Sequence, residues 1–449
     1  MTDQKLDVAI VGGGMIVNDQ ILPSLYHLQR LGVVGQISIC ARHCTPLKAL
    51  AESAEFATAF PGHSFTPHPA LDESADVYHA ELYKEVIAGL APRQIVIVAV
   101  PENMHYPVTM TALAHDQNVL CVKPLVMTHN EAAEIEFTAF DKGLFVGVEY
   151  HKRFDRRALL ARKSYQAGQF GDFVMGDAKL LEPYLYRDSN FQNWFTCDHT
   201  DPFVYIGCHY VDQVHFITGL LPQSVSVVGV KGDFPNGNVG FMWANGRVVF
   251  ENGGVLSVVT GLGYPNQGAG SNDQGMIMYF EGDGCTGMLE HDDQFRGMTH
   301  TFTKGDGPGG SAYNYINPDY FKLIPWIGDG LQPVGYGYES IAANLQTIQR
   351  IEAETRDFEA DEVLERRQQL IAQIDAQGLI ATPANSAFNE LVTEAARLSI
   401  LNDGVTVDIV YGDQPHVHVE SFLSTCVDGA TGGNFAQLEV ITASALFIE

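Results

Sequence analysis

The chain has 449 residues, of which 46% are hydrophobic and 18% charged, and its 26 basic and 54 acidic residues give a net charge of −28. This length is enough to bury a large core and predicts two domains. The acidic excess disfavours nucleic acid and anionic membranes as partners, because no basic stripe is present to neutralise phosphates.

No run of apolar residues reaches the length of about 18 that a membrane helix needs. The first strand begins within a few residues of the amino terminus and leaves no room for a secretory signal, so we expect a cytoplasmic location. The seven cysteines lack C-x-x-C spacing, which favours small core residues in a reducing compartment over disulfides or a metal site. They are Cys40, Cys44, Cys121, Cys197, Cys208, Cys285 and Cys426.

Residues 1–150 alternate between short apolar strands and helices, which predicts a parallel sheet with helices on both faces. The stretch 58–79 is predicted to be a loop because it contains several prolines. The predicted strands are 7–11, 36–40, 94–100, 118–122 and 144–148, and the predicted helices are 18–31, 45–55, 80–90, 104–116 and 129–142.

A glycine turn, Gly12–Gly14, joins the first strand to the first helix. Such a turn lets the backbone approach a pyrophosphate, because no Cβ blocks the contact and the helix amino terminus offers unpaired N–H groups. The pattern G-x-G-x-x-G is met except at Val17, where the third glycine would serve helix packing. A purely structural turn is the alternative. The residues expected to contact a dinucleotide here are Gly12, Gly14, Met15 and Ile16.

The second strand leads directly into Arg42. Sites selective for NAD usually carry an acidic side chain here for the ribose 2′-hydroxyl, and none is present. An arginine can pair with the 2′-phosphate of NADP, although a surface arginine would give the same sequence. The pattern therefore favours NADP and leaves NAD open.

Two loops at the carboxyl ends of neighbouring parallel strands carry polar residues, and open α/β sheets bind ligands at such ends. Lys123, followed by Pro124, is expected to point into the crevice, with a solvated surface lysine as the alternative. The residues expected to contact the cofactor from these loops are Pro101, Asn103, His105 and Lys123.

After about residue 150 the helical alternation gives way to a Gly-rich series of strands, which predicts a mostly antiparallel sheet. An aromatic loop at 184–195 precedes it, and a polar tail ends the chain. The predicted helices are 155–167, 202–218 and 338–377, the predicted loop is 304–336, and the predicted strands are 172–181, 223–231, 246–260, 275–281, 285–291, 297–303 and 405–411.

The helix 202–218 carries Tyr205, His209 and Asp212 at spacings that place them on one face. Three hydrogen-bonding groups among apolar neighbours predict the polar wall of a pocket, and the alternative is a buried helix whose polar groups satisfy one another. Asp201 is expected to cap the helix, with proline at the first helical position. Arg153 follows a strand end and either enters the crevice or is structural.

The ordered set of motifs resembles the glucose–fructose oxidoreductase/inositol dehydrogenase/MocA (Gfo/Idh/MocA) family over about residues 5–300. The chain departs from the family pattern at Val17, at Val122, which replaces a glutamate before Lys-Pro, and at Tyr205, which replaces an aspartate. The motifs that carry the resemblance are the glycine turn, P-x-N-x-H at 101–105, Lys123-Pro124, the segment 147–154 and the segment 207–212.

The resemblance implies an α/β Rossmann NAD(P)-binding domain at 1–150. It also implies an α+β domain at 151–449 that binds substrate, forms a homodimer or homotetramer through its sheet, and includes C-terminal helices at 338–400. The activity it implies is hydride transfer between nicotinamide and a secondary hydroxyl of a sugar, glycoside or cyclitol. No metal is expected, because the cysteines and histidines lack the spacing of metal ligands.

In that reaction His209 is the candidate base, because an imidazole titrates near neutrality. Lys123 would stabilise the charge that develops on the oxygen. Tyr205 would orient His209, or have its pKa lowered by Lys123 and take the proton itself. The residues expected to contact the substrate are Lys123, Arg153, Tyr184, Tyr205, His209 and Asp212.

Two other functions are compatible with the same motifs. One is a redox-neutral enzyme with tightly bound NAD, which oxidises a glycoside transiently to permit elimination. The other is a non-catalytic regulator that binds a dinucleotide. The presence of Lys123 with His209 argues against the regulator, because a sensor needs no proton relay.

Overall fold

The computed structural model describes residues 5–268, 272–292, 298–303, 311–316 and 319–419. Its first sheet has six parallel strands in the order β3-β2-β1-β4-β5-β6, which confirms the parallel sheet predicted for this half. The strands are β1 (Leu6–Val11), β2 (Val34–Cys40), β3 (Thr66–His68), β4 (Ile95–Val98), β5 (Asn118–Val122) and β6 (Val146–Glu149).

The strand β3 is one the sequence pattern did not predict, and the predicted loop 58–79 is wrong at these residues. It is a three-residue edge strand with a proline at its centre, so it shows neither alternation nor an apolar run. The helices of this half are α1 (Leu22–Arg30), which continues from a π-helical segment (Val17–Ile21), α2 (Cys44–Ala51), α3 (Ala54–Ala59), α4 (Leu82–Ala88), α5 (His105–Ala114) and α6 (His129–Asp141).

The second sheet has eight strands in the order β12-β11-β7-β10-β9-β8-β17-β18. Every neighbouring pair is antiparallel except β7 with β10, so the mostly antiparallel sheet is confirmed. The remaining strands form two small hairpins, β13 with β14 and β15 with β16. The strands are β7 (Asp172–Pro183), β8 (Pro222–Asp233), β9 (Val239–Phe250), β10 (Val255–Tyr264), β11 (Asp273–Gly282), β12 (Cys285–Asp292), β13 (Met298–Thr303), β14 (Ser311–Ile316), β15 (Lys322–Pro325), β16 (Leu331–Val334), β17 (Val407–Val410) and β18 (His416–His418).

Several element predictions for this half are wrong. The single strand predicted at 246–260 is the hairpin of β9 and β10, which turns at 251–254, and the Asn252-Gly253 pair there is a strong turn signal. The predicted loop 304–336 contains β14, β15 and β16. The polar tail predicted after 411 contains β18. Residues 304–310 and the tail after 419, with Cys426, lie outside the described residues.

The helix predicted at 338–377 is two helices, with a break between Thr355 and Ala360. Within the described residues none of the helices has the length and apolarity that crossing a lipid bilayer requires. The helices of this half are α7 (Arg156–Gln166), α8 (Cys208–Thr218), α9 (Tyr336–Thr355), α10 (Ala360–Gln377), α11 (Pro383–Ser386) and α12 (Phe388–Leu401).

The carboxyl-terminal helices divide between the two sheets. Apolar side chains of α9 and α10, such as Leu345 and Ile374, belong to the same core as Val8 and Ile10 of β1. Helices α7, α8 and α12 instead cover one face of the second sheet. The domain boundary at residue 150 stays a prediction. The cysteines of the described chain are free, and those that are buried are Cys40, Cys44, Cys121 and Cys208.

Candidate active site

In the glycine turn after β1, position 12 accepts only glycine, whereas a side chain at position 14 would enter open space. At Gly12 φ is +120°, and a Cβ would lie 1.9 Å from the carbonyl oxygen of Ala99, so only glycine fits. At Gly14 a Cβ would meet nothing within 4 Å. Its carbonyl oxygen accepts the N–H groups of Val17 and Asn18, which begin the helix. The open space beside a helix amino terminus fits the pyrophosphate of a dinucleotide.

Three of the expected cofactor contacts lie at the same edge of the first sheet. Met15 is exposed at the start of the helix, and Ile16 is half-buried beside it. Arg42 is exposed directly after β2, with its guanidinium 5.7 Å from the centre of the Tyr78 ring. In a doubly wound sheet the ribose of a bound dinucleotide lies at this strand end.

Lys123 follows β5 and reaches toward the second half of the chain. Its ammonium group donates a hydrogen bond to the backbone carbonyl oxygen of Tyr205 and lies 4.0 Å from the centre of that ring. Burial lowers the pKa of both His209 and His151, and the charge of Lys123 lowers both further. The lysine therefore lies where the end of the first sheet meets the segment that leads into α8.

His209 is a buried imidazole with an unused nitrogen. The residue is 5% exposed, and its Nδ1 atom has no hydrogen-bond partner among the described residues. The ring centre of His151 lies 4.6 Å from that of His209. Burial, then the charges of His151, Lys123 and Lys152, hold the pKa of His209 well below its ordinary value. The imidazole is therefore neutral at neutral pH and can bond a ligand hydroxyl.

Tyr205 does not have the lowered pKa that one of the sequence-based alternatives requires. Burial raises the pKa of its phenol well above the ordinary value, and the charges of Glu182 and Glu102 raise it further. That alternative is wrong, because enclosure of the ring among Phe191, Trp194 and Phe195 keeps the pKa raised although the Lys123 ammonium lies 4.0 Å from the ring centre. Tyr205 keeps its proton and forms part of the site wall.

The predicted contact of Asp212 and Arg153 with substrate is also wrong. Both side chains are buried, and the Arg153 guanidinium donates to the two carboxylate oxygens of Asp212 at 2.8 and 2.6 Å. Asn389 donates a further hydrogen bond to Asp212 at 3.0 Å. The ion pair joins α8 to the turn that follows β6, and its groups are already satisfied. Asp201 caps the helical segment as expected, through bonds from the N–H groups of Phe203 and Val204.

His105 holds two loops together and is not placed to contact a cofactor, so that prediction is wrong. The side chain is fully buried, and its ring nitrogens each lie 2.8 Å from a carbonyl oxygen, of Val100 and of Pro124. These carbonyls belong to the loops after β4 and β5, so the imidazole fixes their spacing. Of its neighbours, Asn103 is exposed and Pro101 is half-buried.

The aromatic loop after β7 places its two tyrosines differently. Tyr184 is 49% exposed, and the Arg187 guanidinium lies 4.3 Å from its ring centre. Tyr186 is half-buried, and its ring centre lies 4.9 Å from that of Phe191. Burial and the charge of Glu182 raise the pKa of Tyr186. Tyr184 is thus exposed, whereas Tyr186 packs against Phe191, whose ring also contacts that of Tyr205.

The site also includes Lys152, which precedes Arg153 after the end of β6, and Glu182, which sequence reasoning missed and on which the charges of Lys123 and Lys152 act. Lys152 is buried, and its ammonium donates to the Gln274 side-chain oxygen at 2.5 Å. Glu182 is half-buried at the end of β7, where burial raises its pKa to about 7 against the opposing effects of Asn272, Lys123 and Lys152. A glutamate at the end of a predicted strand, just before the aromatic loop, was the available signal.

Residues 6–150 match a family model described as an oxidoreductase family with an NAD-binding Rossmann fold. An uncharacterised oxidoreductase of Schizosaccharomyces pombe is 32% identical over 137 residues, which are 30% of this chain and 36% of that protein. The match thus spans about a third of the length of that relative. D-glucoside 3-dehydrogenase of Escherichia coli is 24% identical over 278 residues, which are 58% of this chain and 71% of that protein.

The fold as a whole matches solved structures. One is scyllo-inositol dehydrogenase from Lactobacillus casei with bound NAD(H) and scyllo-inositol, which superposes with a TM-score of 0.56 and 14% identity. The superposition covers 90% of this chain and 99% of that one. At this identity the match shows a shared fold.

Proposed function

Because this chain belongs to the Gfo/Idh/MocA family of oxidoreductases, we propose that it transfers a hydride between a nicotinamide dinucleotide and a secondary hydroxyl of a sugar, glycoside or cyclitol. The observation that carries the proposal is the approach of Lys123 to the segment that holds His209. An ammonium charge and a neutral imidazole with an unused nitrogen are the groups that polarise and bond a reacting hydroxyl.

The dinucleotide supplies the hydride acceptor or donor when it is bound. The open space at Gly14 supports a pyrophosphate site, and the exposed Arg42 guanidinium supports a preference for NADP over NAD. The residues that we propose to hold the cofactor are Gly12, Gly14, Met15, Ile16, Arg42, Pro101, Asn103 and Lys123.

Lys123 and His209 would act on the same substrate oxygen from two sides. The lysine charge stabilises the negative charge that develops as the hydride leaves carbon. The imidazole of His209 is neutral and hydrogen-bonds the same oxygen. The substrate class is supported by two similar proteins, one named as a D-glucoside 3-dehydrogenase and the other solved with scyllo-inositol.

We further propose that the protein is a homodimer or homotetramer that assembles through the face of the second sheet opposite α7, α8 and α12. That face carries exposed apolar side chains, and such patches are typical of subunit interfaces. They include Met175, Val228, Val230, Val259 and Tyr279. A cytoplasmic location stays a prediction.

The test is a panel of sugars, glycosides and cyclitols assayed with NAD and with NADP by the absorbance of the reduced nicotinamide. We expect turnover with at least one unphosphorylated polyol. A protein that binds the dinucleotide tightly but turns over no member of the panel would contradict the proposal and favour a regulator. Consumption of a glycoside with no net change in absorbance would favour the redox-neutral enzyme.

A further inference from the structure

A chain of hydrogen bonds links a buried lysine to a carboxyl group at the edge of the site. Lys152 donates to the Gln274 side-chain oxygen at 2.5 Å, and Gln274 donates to the Asn272 side-chain oxygen at 3.3 Å. Asn272 in turn donates to Oε2 of Glu182 at 3.5 Å. The two amides flank the first residue of β11, which pairs with the end of β7. The second sheet thereby holds the Glu182 carboxyl in a defined position.

Glu182 lies among groups of the site already described. The charges that act on its carboxyl are those of Lys123 and Lys152, and its own charge acts on the phenols of three tyrosines, Tyr186, Tyr205 and Tyr320. Burial outweighs the two lysines and raises the pKa of Glu182 to about 7. The residue as a whole is half-buried. A carboxyl with this pKa can gain and lose a proton at neutral pH.

The surroundings of His209, unlike those of Glu182, keep its side chain unprotonated at neutral pH. A proton on its imidazole would add a positive charge beside those of Lys123 and Lys152, in a position that is 5% exposed. Burial alone already disfavours the charged ring. His209 can therefore bond the reacting hydroxyl but is a poor place for the released proton to remain.

Building on the proposed function, we propose that Glu182 receives the proton of the reacting hydroxyl, and that Lys152, Gln274 and Asn272 hold its carboxyl in place. In the oxidising direction the C–H bond breaks and its electron pair leaves with the hydride to the nicotinamide. The O–H bond also breaks, its electron pair forms the second carbon–oxygen bond, and the proton passes to the Glu182 carboxylate. In the reducing direction the same carboxyl returns the proton.

The test compares Glu182→Gln, Glu182→Asp and Glu281→Gln, the last an exposed glutamate of the same sheet. With a substrate from the panel, oxidation by the wild type should rise with pH through an ionisation near 7. The glutamine variant should lose that ionisation and about 10²–10⁴-fold in kcat. The aspartate variant should recover part of both, and Glu281→Gln should match the wild type.

A second readout needs neither substrate nor cofactor. The infrared difference between wild type and Glu182→Gln should show a carboxyl band that titrates near pH 7. Loss of turnover with the ionisation retained, wild-type turnover in Glu182→Gln, or no such band would each overturn the role of Glu182. Failure of the wild type with the whole panel would instead overturn the proposed function.

Discussion

The ammonium group of Lys123 donates a hydrogen bond to the backbone carbonyl oxygen of Tyr205 and lies 4.0 Å from the centre of its ring. The two residues are 82 positions apart in the chain. Their contact joins the end of β5 to the helical segment that carries His209. The groups proposed to act on the reacting oxygen thus come from both halves of the chain.

Replacement of Lys123 by alanine should lower kcat/KM by about 10²–10³-fold, because the charge that stabilises the developing oxyanion is lost. Dinucleotide binding should be largely retained, as measured by titration calorimetry, because the other proposed cofactor contacts remain. The matched control is Lys163→Ala on α7, an exposed lysine whose loss should leave turnover unchanged. Wild-type turnover in Lys123→Ala would remove this residue from the reaction.

His209→Ala should lower turnover about 10²–10⁴-fold, since the buried group that bonds the reacting hydroxyl is removed. His209→Asn keeps a hydrogen-bonding side chain and should lose less. Steady-state kinetics on both variants, beside the exposed-residue control His416→Ala, measure the difference. Equal rates for His209→Ala and the wild type would show that the His209 side chain does not act on substrate.

The substitution Gly12→Ala should lower the stability of the fold, whereas Gly14→Ala should lower the affinity for the cofactor. At Gly12 the new Cβ collides with the Ala99 carbonyl at an unfavourable φ, which should cost about 3 kcal/mol or more of unfolding free energy. At Gly14 the new methyl enters open space, so the melting temperature should hold while dinucleotide affinity falls. Thermal melts with and without cofactor measure both effects. A Gly14→Ala variant that binds dinucleotide normally would place the pyrophosphate elsewhere.

Arg42→Ala should weaken NADP binding roughly 10–100-fold more than NAD binding, because a charge-assisted bond to the 2′-phosphate is worth about 1.5–3 kcal/mol. The Kd values of the two dinucleotides for wild type and variant give the comparison. Equal losses for both would refute a role for Arg42 at the 2′-phosphate.

Glu149→Gln should change how stability depends on pH. Burial raises the pKa of this carboxyl from 4.5 to about 7, against the opposing hydrogen bonds from Ser340 and Gln20. Its contribution to stability is therefore full below pH 4.5 and is lost as the pH rises through 7. The difference corresponds to about 3 kcal/mol.

We therefore expect the unfolding free energy of the wild type to fall more between pH 5 and 8 than that of Glu149→Gln, because the amide has no charge to bury. Urea unfolding at both pH values measures this change, with Glu281→Gln as the exposed control. Parallel behaviour of wild type and Glu149→Gln would show that this carboxyl ionises normally.

The first sheet could be predicted from the alternation of strands and helices, because each buried parallel strand is a short run of apolar residues in the sequence. The same reading located Gly12 and Lys123, since both lie at strand ends whose order follows from the topology. It failed at β3, whose three residues at a sheet edge carry no periodic pattern. The hairpin of β9 and β10 was missed although Asn252-Gly253 marked its turn.

The sequence by itself thus determined the fold class, the glycine turn and the sheet edge where a ligand would bind. Only the tertiary structure decided which polar groups are already paired. Arg153 pairs with Asp212, which is 59 residues away in the sequence, and His105 lies between two loop carbonyls. The polar groups of these three side chains are already hydrogen-bonded and are not available to a ligand. The tertiary structure also brought Glu182 near Lys123. Local patterns record the burial of each segment, whereas these pairings and pKa shifts depend on how distant segments pack.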